Sequence, residues 1–315
     1  MLSIFYGCSS TSVESTPANP GIEMTISGLY PSRSSESYAL WLEFPVQSTS
    51  QKGQPVLHGD FVEKLVSTFR ISSDGTVVGF DTTGLLSRLG ESLKLATYAI
   101  LSVEKSDSIG SDPRASFLAG DITGTESTGT VTLKTTNLDA LNYGFTDMTA
   151  SITLANAPGK PTDDLELYIM KATSQTQTSA GINNLPTLPE PWHYALWAVD
   201  SATKSLPPFN IYYGTFTNPA GFGTEPPDSQ PEDNHYNYPG GRYPADSTQP
   251  VYNLRSGRTT VMMTIEPITE GSRPSVPFGA IIGKVTIPTA TQAFSPIDLQ
   301  NVASEFPTMN LIIHR

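Results

Sequence analysis

Tyr38-Ala39-Leu40-Trp41 recurs as Tyr194-Ala195-Leu196-Trp197, 156 residues from one Trp to the next, and this recurrence decides how the chain is read. On a β-strand, successive side chains point to opposite faces, so Tyr38 and Leu40 lie on one side and Ala39 and Trp41 on the other. A large ring then fills the space between two sheets while the Tyr hydroxyl finds a partner. The same holds for Tyr194 and Trp197. The competing reading of the four aromatics is an exposed binding platform.

Working outward, further landmarks repeat in the same order. Gly59-Asp60-Phe61 follows the first Trp and Gly214-Thr215-Phe216 the second; Thr97 to Glu104 aligns with Thr260 to Glu266 with one gap. Each glutamate leads to a turn, Gly110-Ser111-Asp112-Pro113 before Phe117 and Gly271-Ser272-Arg273-Pro274 before Phe278. Val131-Thr132-Leu133 and Val285-Thr286-Ile287 come next, and the copies end on Ile152-Thr153-Leu154 and Leu311-Ile312-Ile313. The separation is 162 residues at Glu104 and Glu266, 161 at Pro113 and Pro274, and 159 at Thr153 and Ile312. A nearly constant offset is the signature of duplication. It predicts two homologous domains, 21–157 and 163–315, joined near Ala157-Pro158-Gly159-Lys160-Pro161.

The local patterns are those of strands. Glu23 to Ser27 and Thr76 to Phe80 are rich in β-formers or alternate with period 2, and Ser73-Asp74-Gly75 is a hairpin turn signal. Short helices are expected at Thr83 to Leu89 and at Ile297 to Val302. With 25 Gly, 26 Pro and only 15% charged residues, the composition favours short strands and many turns. The expectation is an all-β chain of two tandem β-sandwich-like domains with few short helices. In both copies the Glu-to-Pro turn is expected to have a fold role more than a catalytic one: Gly and Pro set its dihedrals, and Glu104 or Glu266 is expected to accept hydrogen bonds from its backbone.

Eighteen basic against 30 acidic side chains give a formal charge of −12. No run of Lys or Arg occurs, so counterion-driven binding to nucleic acid has little to work with. Cys8 is the single cysteine, which excludes an intrachain disulfide framework and any multi-cysteine metal centre. It follows the apolar run Leu2 to Gly7 and precedes the polar stretch Ser9 to Pro20, the arrangement of a shortened lipoprotein signal and tether over residues 1–20. The alternative is an incidental Cys in a disordered amino terminus. No other stretch has the 18 or more consecutive apolar residues of a membrane span. Lipidation at Cys8 implies a membrane partner and a bacterial envelope location, periplasmic or at the surface.

The Tyr-x-Leu-Trp strand, the Gly-x-Phe strand, and Glu266-Pro267 through Gly271-Ser272-Arg273-Pro274 together resemble the extracytoplasmic domain of anti-sigma-K factors. Tyr38 to Trp41 and Gly53-Gln54-Pro55 to Phe61 extend the likeness to the first copy, and it covers about two thirds of each. The resemblance implies a β-rich module outside the membrane. The family's transmembrane helix and zinc-binding, sigma-binding domain have no counterpart here: there is no His-x-x-x-Cys-x-x-Cys.

The four histidines, His58, His193, His235 and His314, form no HExxH and no pair at metal-ligand spacing. There is no GxSxG, no Walker loop and no GxGxxG after a strand. No cofactor or metal is expected. One region breaks the symmetry between copies: residues 221–249 carry Asp228, Glu232, Asp233, His235, Tyr236, Tyr238, Arg242 and Tyr243 almost without aliphatics. Clustered Tyr and His beside carboxylates suit sugar stacking, protein contact or a Ca²⁺ ion on a loop carried by a rigid scaffold, and the competing reading is a solvated loop with no ligand. Three functions follow. The first is a non-catalytic envelope module that binds, senses or supports, with an envelope protein or glycan as partner. The second is a carbohydrate-active or other envelope enzyme with its site between the domains, and the third a regulatory component of an anti-sigma system.

Overall fold

The computed structural model describes residues 11–13, 21–46, 61–90, 92–156, 165–200, 209–217, 236, 238–241, 253–267, 274 and 276–315. They form an all-β chain with one short helix, Leu85–Leu89, inside the first of the two predicted helical stretches. Gly84 and Gly90 bracket that helix, both in the left-handed region that stops a helix at low cost. The chain divides into two compact units: Met1–Tyr143 with Glu305–Arg315, and residues 144–304.

The first unit contains β1 (Thr11–Val13), β2 (Gly21–Ser27), β3 (Glu36–Pro45), β4 (Phe61–Ile71), β5 (Tyr98–Lys105), β6 (Ala115–Asp121) and β7 (Thr128–Leu133). The second contains β8 (Thr149–Asn156), β9 (Leu165–Tyr168), β10 (Trp192–Asp200), β11 (Phe209–Phe216), β12 (Gly240–Gly241), β13 (Thr259–Pro267), β14 (Ile281–Thr286) and β15 (Ile297–Asp298). The last strand, β16 (Thr308–His314), returns to the first unit. There one antiparallel sheet runs β4-β3-β5-β6 and the other β1-β2-β16-β7. The second unit repeats the plan, with β11-β10-β13-β14 as one sheet; in the other, β8 lies between β9 and β15 and β12 lies outside β9.

Alternation builds the apolar layer of the β2 sheet. Ile22, Met24 and Ile26 on β2, Met309, Leu311 and Ile313 on β16, and Val131 and Leu133 on β7 are all buried. Glu23, Thr25, Asn310 and Thr130 occupy the intervening, more exposed positions. Strand β3 is buried on both faces over most of its length, as befits the strand between β4 and β5.

The two units share one strand plan, and the strand that ends each predicted copy pairs with the first strand of the other. In the first unit Glu23 pairs with Ile312 of β16, and in the second Tyr168 pairs with Thr153 of β8. Each copy's final strand therefore completes the sheet that begins with the other copy's first strand. The expected boundary at 157–163 separates the two copies in sequence, but it does not separate the compact units. The reason is visible in the strands: Ala150, Ile152 and Leu154 of β8 are buried at the steps where β16 buries Met309, Leu311 and Ile313, so the apolar positions of either strand suit either sheet, although β8 also buries the intervening Ser151 and Thr153.

Other expectations are corrected by the register. Tyr38 pairs with and stacks on Phe69 at a centroid distance of 5.7 Å, as Tyr194 does on Phe216 at 5.7 Å, so Phe69 and not Phe61 matches Phe216. Phe61 instead pairs with Pro45 at the far end of a longer strand. The stretch Ile297 to Val302 forms no helix: Ile297–Asp298 pairs with β8 and Gln300–Asn301 with β14. Its main chain is shared between two sheets, and those bonds override the helix-like spacing. A hairpin, Met170–Ser174 with Gln177–Ala180, also interrupts the second copy before Ile182–Asn183 resumes pairing with β8.

The hairpin signal at Ser73-Asp74-Gly75 is a turn between β4 and Val77–Val78, with Gly75 at φ 86°. The Asp74 carboxylate accepts from the Ser72 hydroxyl at 2.5 Å and from Thr76 N–H at 3.0 Å. These bonds, the Ser72 one foremost, hold its carboxyl down to about 2. A folded-state value below the unfolded one means the turn gains its support above the ordinary carboxylate range and loses it as pH falls through about 2. An NMR titration should place the Asp74 midpoint there, and Ser72→Ala should move it upward; an unchanged midpoint would refute the assigned cause.

Candidate functional site

The repeated Tyr, Trp and Glu residues belong to matching buried networks. Trp41 is 1% exposed and Trp197 is 0% exposed. Each ring lies on the sheet face opposite its Tyr: Trp41 clusters with Ala39, Tyr98, Ile100, Ala119 and Ala140, and Trp197 with Ala195 and Tyr212. Rings so enclosed offer no stacking platform. The Tyr hydroxyls donate to main-chain carbonyls eight residues upstream, Tyr38 to Tyr30 at 3.0 Å and Tyr194 to Pro186 at 2.7 Å. Desolvation by burial, first among several causes, pushes the Tyr38 phenol well above its ordinary value.

The indole of Trp41 donates to Ser102 Oγ at 2.9 Å, and Ser102 donates to Glu104 Oε1 at 2.5 Å. In the second copy, Trp197 Nε1 donates to Glu266 Oε1 at 3.2 Å and Thr264 Oγ1 donates to the same oxygen at 2.6 Å. Both carboxylates also accept a main-chain N–H from the following turn, Arg114 at 2.9 Å and Phe278 at 3.0 Å. Each of those donors follows a proline, Pro113 and Pro277. Pro277, not Pro274, is thus the counterpart of Pro113, and Phe278 matches Arg114 and not Phe117. The second turn is longer, and the carboxylate contact rather than residue counting fixes the alignment. Pro113 and Pro274 are themselves only part-buried.

The asymmetric region is seated on the second unit by Tyr236 and Tyr238 to Gly241. Gly240 and Gly241 pair with Tyr168 and Leu167, and Ile169 N–H donates to Pro239 O at 2.8 Å. A Cβ on Gly240 would lie 2.1 Å from Leu167 O, so only glycine allows this approach. Tyr236 donates to Asn156 O at 2.9 Å and meets Tyr168 edge-on at 5.1 Å. With Tyr238 and Phe294 it covers an apolar patch of Ala155, Tyr168, Met170 and Ala172. Beneath it, the Tyr168 hydroxyl donates to the buried carboxylate of Glu166. Burial, then the Glu166 charge, raise the Tyr236 phenol above its ordinary range. Two of the loop's aromatics thus have the packing role that its lack of aliphatics argued against.

Cys8, Asp228, Glu232, Asp233, His235, Arg242 and Tyr243 lie outside the described residues. Among the described residues, no group of three His, Cys, Asp or Glu is placed to hold a metal ion, and no helix is long and apolar enough to cross a membrane. Sequence reading missed Glu166 and Tyr168 of β9 and the distant Phe294, and the clue was Glu166-Leu167-Tyr168 alternating at the start of the second copy. It also missed Asp200, buried at the end of β10, which accepts from Arg258 at 3.1 Å and Ser256 at 3.3 Å. Compared with protein-family models, curated proteins and solved structures, the chain finds no match.

Proposed function

We propose that the chain is a non-catalytic binding module of the bacterial cell envelope, lipid-tethered through Cys8, whose contact surface is the polar sequence on both sides of Tyr236–Gly241. The carrying observation is the seat itself: Tyr236, Tyr238 and the glycine strand fix the middle of the region to a rigid sheet. In the sequence, Asp228, Glu232, Asp233 and His235 precede this fixed point and Arg242 and Tyr243 follow it. Presentation of polar loops by a rigid scaffold is how binding surfaces are commonly built. The recurring glutamates support the same reading, because Glu266 Oε1 accepts from indole, hydroxyl and main-chain donors and Glu104 Oε1 from hydroxyl and main-chain donors. The resemblance to anti-sigma-K extracytoplasmic domains supports the compartment.

The test separates seat from surface. Replacing residues 221–235 with a Gly-Ser linker, while keeping Tyr236–Gly241, should leave the melting temperature within about 2 °C and abolish binding found on glycan and envelope-protein arrays. Tyr236→Ala should instead cost about 1–2 kcal/mol, a fraction of a fully buried aromatic. Retained binding by the linker variant would place the surface elsewhere. For the anchor, Cys8→Ser should shift the expressed protein from the detergent phase to the aqueous phase, and no shift would remove lipidation from the reading.

A further inference from the structure

Asp74-Gly75 is the only step in the chain at which an Asp or Asn precedes a Gly. Such a step has a reaction of its own. The nitrogen of the following residue, once it gives up its proton, attacks the side-chain carboxyl carbon, and a carboxyl oxygen departs as water to leave a succinimide ring. Water then breaks the bond between that nitrogen and the original main-chain carbonyl, and the product is isoaspartate, with the main chain routed through the side chain. The water lost in the first step returns in the second, so the net change is an isomerisation that needs no co-reactant. Glycine favours the attack because it has no Cβ to crowd the nitrogen or restrict the backbone. Asp107 and Asp200 precede Ser, and Asp112 precedes Pro, which has no N–H.

The folded turn opposes each part of the first step. Gly75 N–H donates to Ser72 O at 2.9 Å, so the nucleophile holds its proton in a bond. Asp74 Oδ1 accepts from Ser72 Oγ at 2.5 Å and from Thr76 N–H at 3.0 Å, which ties the carboxyl to Thr76, one residue beyond the nitrogen that would attack it. The same bonds favour the ionised carboxyl, and a carboxylate resists attack because its oxygen leaves as water only from the protonated acid. Ser72 N–H donates to Thr76 O at 3.0 Å, and Thr76 N–H lies 3.1 Å from Ser72 Oγ. Ser72 thus holds the nucleophile, the carboxyl and the far end of the turn. Asp74 itself is exposed, so these bonds, and not burial, hold the reaction back.

We infer that Asp74 is a modification site, converted to isoaspartate when its turn opens, and that the Ser72 hydroxyl is the gate that keeps a folded chain unconverted. Conversion puts one extra atom into the main chain between Ile71 and Val77, which face each other, as Arg70 faces Val78. A tight turn has no room for that atom without a change of register, so Val77–Val78 leaves the edge of the β4 sheet and the turn does not close again as before. The mark records that a chain has opened at this point. The inference is independent of the loop around Tyr236.

The experiment ages the full chain at mildly acidic pH and physiological temperature, beside Ser72→Ala, Ser72→Thr, Ser73→Ala and the unaltered chain unfolded in urea. Isoaspartate is read by enzymatic methylation with an isoaspartyl methyltransferase and located by a digest peptide that spans Asp74 with unchanged mass and altered retention. The unfolded chain should convert first at Asp74, and the folded parent at least about tenfold more slowly, the factor that one hydrogen bond to a charged group represents. Ser72→Ala, with its fold checked by circular dichroism, should recover most of the unfolded rate. Ser72→Thr keeps a hydroxyl and should age like the parent, as should Ser73→Ala, whose hydroxyl takes no part in these bonds. Equal rates in the folded and unfolded parent, no acceleration by Ser72→Ala, acceleration by Ser72→Thr to the same degree, or isoaspartate appearing first at another Asp would overturn the inference.

Discussion

A chain that ends at Pro307 should lose the fold of its first unit while the second keeps its own. Strand β16 is not an edge strand: it pairs along its length with β2 on one side and β7 on the other. Its removal strips both of their shared neighbour and takes Met309, Leu311 and Ile313 out of the core. A single Leu311→Ala substitution should cost about 2–5 kcal/mol. Three such losses together, about 6–15 kcal/mol, are of the size of the roughly 5–15 kcal/mol that holds a typical domain. Hydrogen exchange would read the result: amides of β2, β3 and β5 lose protection, and those of β8, β10 and β13 retain it. A synthetic peptide of residues 305–315, added in trans, should restore the first set. Unchanged protection in the truncated chain would contradict the exchanged arrangement.

That prediction also marks where sequence reading stops. The shared strand plan was legible because its landmarks, Tyr38 to Trp41 with Tyr194 to Trp197 and Glu104 with Glu266, are large or charged residues tied to their neighbours across strands. The exchange was not, because Ile152 and Leu311 are equally apolar at the same step of an alternating strand, and alternation says which face is buried, not which sheet. Spacing leads to Phe61 and not to Phe69 for a similar reason: distance along a chain ignores the length of a strand, whereas stacking on Tyr38 depends on register. Of the candidate site, the asymmetry around 221–249 was legible as composition. Its seat was not, since Asn156, Glu166, Tyr168 and Phe294 reach Tyr236 only through the sheet.

The second large effect is expected at the buried glutamates, where structure argues for stability rather than chemistry. Glu266 Oε1 accepts from Trp197, Thr264 and Phe278, and the whole group is buried. Glu266→Ala leaves an indole N–H, a hydroxyl and a main-chain N–H without their acceptor, and each unmet buried donor costs about 1–3 kcal/mol. The sum is about 3 kcal/mol or more, comparable to the roughly 3–5 kcal/mol expected for Trp197→Ala. Glu266→Gln retains an acceptor oxygen and should cost less, with Glu104→Gln behaving alike if the copies share one packing scheme. The discriminating measurement is a double-mutant cycle by urea denaturation on Trp197→Phe and Thr264→Val, alone and together. Both changes remove a donor from the same oxygen, so their effects should fail to add by about 0.5 kcal/mol or more. Strict additivity, or a Glu266→Ala chain as stable as the parent, would mean that the carboxylate is not the hub joining strand to turn, and its recurrence in both copies would then call for a different cause.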